Sequence, residues 1–439
     1  MRKWDELMKY IEINGGNPLV GTIKIPGSKN SSLALMVAAC LTDEPVTLSG
    51  IPNIYDVLAI EEIMKGIGID LHRVPNGDIV IDSSNIFSGE LDMNLTSTYR
   101  ASYYFIGALL ARCGKVSIGY PGGDDFVCRP IDQHVKFLEA LGAEVTFCEG
   151  YYIVEATRLV GADIFFDVIT SGATMNAILA ACLASGTTIL RNAATDPEVV
   201  DTANLLNQMG ARIRGAGTSR IRIEGVEKLS GCTYQVIPDR LIAGAFLAAA
   251  GATRGAITVD GVIPEHLGSC ISKLKEVGLE VKVGEQSIEV IGDVALKAVR
   301  IRTGMYPGFA TDLQQPFTAM LLRAPGRSII NDKVYPKRFS HIDQLRRMGA
   351  SIDVKGASAF IQGGVPLHGD WVHATDIRAG VCLLIAGLMA EGTTRLTGVE
   401  HIERGYADAI DSFCQLGASI QLKEIGNSNY LSSFSIGQS

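Results

Sequence analysis

One short phrase recurs six times along this chain: the end of an amphipathic helix, a glycine, then alternating strand text. It reads IGIDLHR, LGAEVTF, MGARIRG, VGLEVKV, MGASIDV and LGASIQL. The glycines are Gly68, Gly142, Gly210, Gly278, Gly349 and Gly417, spaced 74, 68, 68, 71 and 68 residues apart. A glycine directly after a run such as DQHVKFLEALG or HIDQLRRMG takes the left-handed conformation that ends a helix. The period-two text beyond it reads as a strand. A second phrase shares the period. Small-residue helix text (SSLALMVAACL, RASYYFIGALLA, SGATMNAILAACLA, IAGAFLAAAGA, IRAGVCLLIAGLMA) is followed each time by strand text, and the fifth copy, DLQQPFTAMLLRAPGRSII, is a looser match. Helices this rich in Ala and Gly, apolar nearly all round, are expected to be buried with their backbones in close approach.

The repeat is longer than that of most solenoids. Six such units fit two domains of three units better than an open array, with the break near CTYQVIPDR at 232–240. The opening text IEINGGNPLVGTIKI has no partner in this count and is assigned to the second domain. Residues 29–237 then form one domain, and 1–28 with 238–439 the other. A chain of 439 residues is long enough for two cores, and a cleft between similar domains is a common ligand site.

Composition narrows the function classes. With 47% hydrophobic and 20% charged residues the chain is globular rather than disordered. The longest uncharged apolar stretch, AGVCLLIAGLMA at 379–390, is too short to span a bilayer. MRKWDELMKYIEI lacks the apolar segment of a secretion signal, so a soluble intracellular protein without a membrane partner is expected. The net charge of −8 argues against a nucleic-acid partner. Nine irregularly spaced cysteines without a CxxC pair do not form a disulfide framework. Seven scattered histidines show no metal-ligand spacing.

The chemistry-bearing residues gather where the apolar helices begin: PGSKN (26–30), TYRAS (98–102), TSGAT (170–174), ATDLQQ (310–315) and ATDIRAG (374–380). Helix amino termini suit anions, and Lys29, Arg100 and Arg378 add full charges there. Arg129, Arg338 and Arg404 lie in connecting text. In an acidic chain, cations at equivalent points of a repeat point to a polyanionic small molecule. Taken singly, each can equally be pairing with a neighbouring carboxylate. Asp312 and Asp376 both follow Thr at a helix start, where aspartate commonly serves as an N-cap. That reading is stronger for Asp376, which shares its turn with Arg378. Asp312 can instead act as a general base towards a hydroxyl. His134 and His341 are read as structural. The loop YPGGDDFVCRPID at 120–132 offers three reactive candidates: Asp124, Asp125 and Cys128.

PGSKN, TYRAS, the PGG loop followed by RPID, SGAT, IPDR, the TD before LQQ, ATDIRA and ERGY occur together and in order. In this the chain resembles the enolpyruvyl transferases, and among them the branch that acts on UDP-N-acetylglucosamine. The resemblance covers nearly the whole length. It implies an α/β (α+β) fold of two pseudo-threefold, inside-out domains built from six βαβαββ repeats, helices inside and sheets outside. The implied reaction moves the enolpyruvyl group of phosphoenolpyruvate to the 3-hydroxyl of the sugar in UDP-N-acetylglucosamine, releasing phosphate, with no metal or cofactor. It is the committed step towards the peptidoglycan precursor, in a bacterial cytoplasm. By resemblance Lys29, Arg129 and Arg404 hold phosphoenolpyruvate, with Asn30 beside them and Arg338 and Arg378 close by. Arg129, Pro130, Ile131, Asp132 and Gln133 form the uridine-binding turn. Arg100, Val168, Ile169, Thr170, Ser171, Asp312 and Val334 complete the sugar-nucleotide contacts, with Asp376 also counted among the substrate-binding residues. Asp312 is the base.

Three places depart from the family pattern. The loop position that commonly holds an acidic cysteine, directly after the second glycine, holds Asp124, five residues before Arg129. This variant type is known within the family, and it makes Asp124 the acid and Cys128 a bystander. A free aspartate titrates near about 3.9, so the acid role requires burial, or Asp125 next door, to keep the proton. ENRF is replaced by Pro336-Lys337-Arg338-Phe339, and PDRIEAG by Pro238-Asp239-Arg240-Leu241-Ile242-Ala243-Gly244, each losing a carboxylate. These two changes leave open a different acceptor, such as uridine monophosphate. A non-catalytic sugar-nucleotide-binding relative is a third reading, opposed by the retained Lys29, Asp312 and Arg404.

Overall fold

A computed structural model of the chain describes residues 7–122 and 130–426. The sequence-predicted acid Asp124, its neighbours Asp125 and Cys128, and Arg129 lie outside the described residues. The chain divides into two compact units, one of 26–239 with 305–307, the other of 1–25, 240–304 and 308–439. The unit boundaries follow hydrogen bonding in the two connecting strands. Gly27 bridges Pro238, and the Asp239 N–H donates to the Pro26 carbonyl, so both connectors belong to the first unit.

In the first unit three apolar helices, Lys29–Ala38, Tyr104–Cys113 and Ser171–Ala181, are buried along most of their length. Their small residues allow the close approach expected of them. A Cβ on Gly107 would lie 2.4 Å from the Asn176 carbonyl oxygen. Instead the Gly107 N–H reaches the Asn176 side chain at 2.8 Å. Three amphipathic helices (Tyr55–Gly66, Asp132–Ala140, Pro197–Gln208) and three sheets surround these inner ones.

Each sheet repeats one pattern. The strand after an inner helix pairs antiparallel with the second strand of a hairpin and parallel with a strand from a neighbouring repeat. Thus Val46–Ser49 lies between Ile79–Asp82 (antiparallel) and Thr233–Gln235 (parallel), the last strand of the unit returning to its first sheet. Thr187–Arg191 lies between Arg220–Glu224 and Asp163–Phe165 in the same way. In the sheet Lys115–Gly119, Tyr151–Glu155, Glu144–Phe147 the parallel partner shrinks to a single bridge, Glu90 to Ser117.

The second unit repeats the plan with inner helices Arg240–Thr253, Gln314–Leu321 and Ile377–Met389. The looser fifth copy corresponds to the shortest of them, of eight residues, preceded by the 3-10 turn Thr311–Leu313. The opening text, read as one extra strand, forms two. Val20–Lys24 is the parallel partner of Ala256–Asp260. Leu7–Asn14 inserts between Thr393–Thr397 and Ser419–Gly426, antiparallel to both, and supplies the strand the sixth repeat lacks. The break between them falls at Gly15-Gly16, where a Cβ on Gly15 would lie 2.2 Å from the Ala390 carbonyl.

The six repeat glycines all have φ between 93° and 106°. In every copy the N–H after the glycine bonds back to the carbonyl five residues before it, at 2.9–3.1 Å (Ile69 to Met64, Ala143 to Leu138, and so on to Ala418 and Phe413). This is the Schellman helix end, which needs a residue tolerant of positive φ. Among the described residues no helix is long and apolar enough to cross a membrane.

Candidate active site

In the first unit, Lys29 opens the first inner helix. Ser28 caps that helix through its side chain, and the Lys29 N–H donates to Asp239 Oδ2 at 3.0 Å. The Lys29 ammonium lies 2.6 Å from Asp56 Oδ2, with the two side chains 12% and 8% exposed. Asn30 follows, half-buried. A cation so placed combines with the positive helix end to favour an anion. Its three donors let it take a second partner while keeping Asp56.

Arg100 was expected at the start of the second inner helix. It lies instead in the 3-10 turn Arg100–Tyr103, and the helix proper begins at Tyr104. The Ser102 hydroxyl donates to the Thr96 carbonyl at 2.8 Å and ties this turn to the preceding short helix Met93–Thr98. The guanidinium sits over the Tyr103 ring, 5.5 Å from its centroid.

Pro130 and Asp132 are exposed and Ile131 half-buried, whereas Gln133 is buried. Gln133 ties this turn to the next predicted segment. Its Oε1 accepts the Asp167 N–H at 2.9 Å, and its Nε2 donates to Asp167 Oδ2 at 3.3 Å. Lys136 pairs with the same carboxylate at 2.7 Å. Val168 and Ile169, directly beyond, are exposed apolar side chains at 57% and 40%. Thr170 stands at the start of the third inner helix, and the Ser171 hydroxyl donates to Asp196 Oδ2 at 2.8 Å.

Both histidines read as structural are buried. His134 Nδ1 is 3.1 Å from Asn176 Nδ2, which makes Nδ1 the acceptor and places the proton on Nε2. Burial first, then the Arg100 charge, lower its pKa from 6.5 to about 3. Burial likewise lowers His341 to about 4.

In the second unit, Asp312 is not an N-cap. It is the middle residue of the turn Thr311–Leu313, whose capping position is Ala310. Its Oδ1 lies 2.5 Å from Arg338 Nη1 and its Oδ2 3.9 Å from Arg378 Nη2. Both arginines are buried, at 4% and 6% exposure. Gln314 Nε2 donates to the Arg338 carbonyl at 2.7 Å, and Gln315 turns its amide oxygen to Arg338 Nε at 3.0 Å. Arg378 Nη1 reaches the Tyr406 hydroxyl at 3.3 Å. Asp376 is the cap that its sequence position indicated, accepting the N–H groups of Arg378 and Ala379 at 2.9 and 3.0 Å. Val334 is half-buried in the turn after strand Gly326–Asn331, and Arg404 closes the short helix Val399–Glu403.

A carboxylate set between two buried guanidiniums at a helix start can accept a hydrogen bond from a substrate hydroxyl, and the guanidiniums favour an anionic group beside it. The family profile described as EPSP synthase (3-phosphoshikimate 1-carboxyvinyltransferase) matches residues 13–413. The chain belongs to the EPSP synthase family. Within that family it is 50% identical to "UDP-N-acetylglucosamine 1-carboxyvinyltransferase 2" of Geobacillus kaustophilus, over 94% of this chain and 96% of that one. It is 48% identical to the Clostridium botulinum "UDP-N-acetylglucosamine 1-carboxyvinyltransferase", over 94% and 99%. Among solved structures, the enolpyruvyl transferase NikO from Streptomyces tendae superposes with a TM-score of 0.87 at 25% identity, over 95% of this chain and all of that one. EPSP synthase from Acinetobacter baumannii gives a TM-score of 0.70 at 19% identity and shares the fold.

Several residues of this EPSP synthase family member escaped the sequence reading. Asp56, Asp167 and Asp332 carry no local motif. Each acts through a partner from another repeat element, and only the Asx-like text after an apolar strand, SIINDKV, marks the last of them.

Proposed function

We propose that this chain transfers the enolpyruvyl group of phosphoenolpyruvate to the 3-hydroxyl of UDP-N-acetylglucosamine, releasing phosphate. Near-half identity along almost the whole chain to relatives named for that activity carries the reading. The reaction belongs to peptidoglycan precursor synthesis, in a bacterial cytoplasm.

The acceptor oxygen bonds to C2 of phosphoenolpyruvate and gives its proton to Asp312. A second proton, from Asp124, makes C3 a methyl group. The resulting tetrahedral centre carries phosphate, carboxylate, methyl and sugar oxygen. C3 then returns a proton to the Asp124 carboxylate, and the electron pair of that C–H bond forms the C2–C3 double bond. The C2–O bond to phosphate breaks, phosphate leaving with its electron pair. Lys29, Arg129 and Arg404, with Asn30, Arg338 and Arg378, hold the phosphate and carboxylate, since charge-assisted bonds to both anionic ends fix the geometry. Pro130 to Gln133 and the exposed Val168 and Ile169 form the uridine side, and Arg100, Thr170, Ser171 and Val334 lie along the sugar nucleotide. Asp376 acts by capping the helix that carries Arg378.

Phosphate release from phosphoenolpyruvate is the test, run with UDP-N-acetylglucosamine, with uridine monophosphate and with no acceptor. Release with the first acceptor is expected. Release only with the second, or none with either, would sink this reading.

A further inference from the structure

One buried carboxylate has no part in the reaction as written. Asp332 stands at the end of strand Gly326–Asn331 and is 0% exposed. Its oxygens accept four hydrogen bonds, all from uncharged donors. Oδ1 takes the Thr303 hydroxyl at 2.7 Å and the N–H groups of Val334 and Tyr335 at 3.0 and 2.9 Å. Oδ2 takes the Thr311 hydroxyl at 2.7 Å. Burying a carboxylate is costly unless such bonds are complete, and a turn alone would be served by a single Oδ1.

The second oxygen reaches further. Thr311 directly precedes Asp312. On the other side, the Tyr335 carbonyl accepts the Arg338 N–H at 3.0 Å. Two chains of bonds therefore leave Asp332, one through Thr311 to Asp312 and one through Tyr335 to Arg338. They meet again in the 2.5 Å contact between Asp312 and Arg338. Thr303 closes the inner side, its hydroxyl also accepting the Lys333 N–H at 3.0 Å.

We infer that Asp332 is a positioning residue, whose carboxylate sets both ends of the Asp312–Arg338 pair and the Val334 turn for enolpyruvyl transfer. The inference rests on the function proposed above. It separates the two oxygens: Oδ1 shapes the turn, whereas Oδ2, through Thr311, places the base.

Thr311→Val removes the Oδ2 contact without changing size, and Thr311→Ser keeps it. The valine variant is expected to lose roughly tenfold to a hundredfold in kcat while KM for each substrate stays within about threefold, because misplacing a catalytic group acts on the transition state. The serine variant is expected to recover kcat. Wild-type kcat in the valine variant, or equal losses in both, would overturn the inference. Crystal structures of the wild type, Thr311→Val and Asp332→Asn give a readout independent of turnover. Asp312 is expected to part from Arg338 in both variants, and an unmoved pair would overturn the inference. If the wild type releases no phosphate with any acceptor, the functional reading fails, and the crystal comparison alone decides the role of Asp332.

Discussion

Asp312 and Arg338 stand 26 positions apart and meet at 2.5 Å, Oδ1 to Nη1. The guanidinium side is 5% exposed and the carboxylate side 26%. The arginine is therefore held by protein on every side, while part of the carboxylate stays open to a substrate.

Replacing Arg338 by Met should cost about 2 kcal/mol of stability, below the ~3–5 of a fully buried pair, because the partly open Asp312 can rehydrate. Activity should fall further, by roughly a hundredfold or more in kcat/KM. Arg338→Lys keeps the charge but not the planar fork shared by Asp312 and Gln315, and should fall between. Urea unfolding and steady-state kinetics measure both effects. Undiminished kcat/KM in the Met variant would remove this pair from the site.

Asp56 is the charge partner of Lys29. Asp56→Asn leaves an ammonium that is 12% exposed without its counter-ion, which should lower the melting temperature. A phosphate bound by Lys29 would restore that missing charge. Phosphoenolpyruvate should then stabilise the variant more than the wild type in thermal-shift assays. An equal shift in both would show that Lys29 does not hold the anion.

His134 gives a pH dependence with a definite sign. Its folded-state pKa, about 3, lies below the ordinary 6.5, so below pH 6.5 the unfolded chain takes a proton that the folded chain refuses. Stability is complete above that value and falls with pH down to about 3, by roughly 2 kcal/mol at pH 5 for this group alone. His134→Gln should flatten part of the slope between pH 7.5 and 5, measured by denaturant titration. His341, lowered to about 4 by burial, contributes in the same direction and should leave a residual slope. An identical slope in wild type and variant would contradict the assignment.

The loop prediction comes from sequence register. Asp124→Asn should abolish turnover, whereas Cys128→Ser should not. Fosfomycin, which alkylates the loop cysteine of the family, should leave this protein active. Time-dependent inactivation with an adduct on Cys128 would reverse the two roles.

The repeat made the architecture legible before any coordinates. Gly68 to Gly417 mark helix ends because the left-handed turn is a local requirement that few residues meet, and the Ala/Gly-rich text marks inner helices because only small side chains allow that approach. The looser fifth copy coincides with the shortest inner helix, a length that its text did not by itself indicate. The division of the opening text into two strands was not legible, since it depends on a close backbone approach at Gly15 from the far end of the chain.

For the candidate site, sequence determined which residue types stand at helix starts, because periodicity and capping are local. It also identified Asp376 as a cap from its own turn. It could not determine which charges meet. Whether Asp312 would cap its helix or face Arg338 and Arg378, and whether Lys29 would stand alone or against Asp56, depended on contacts between distant segments. Tertiary packing decided those pairings, and it placed Asp332 where one buried carboxylate bonds to its own turn and also to the more distant Thr303 and Thr311.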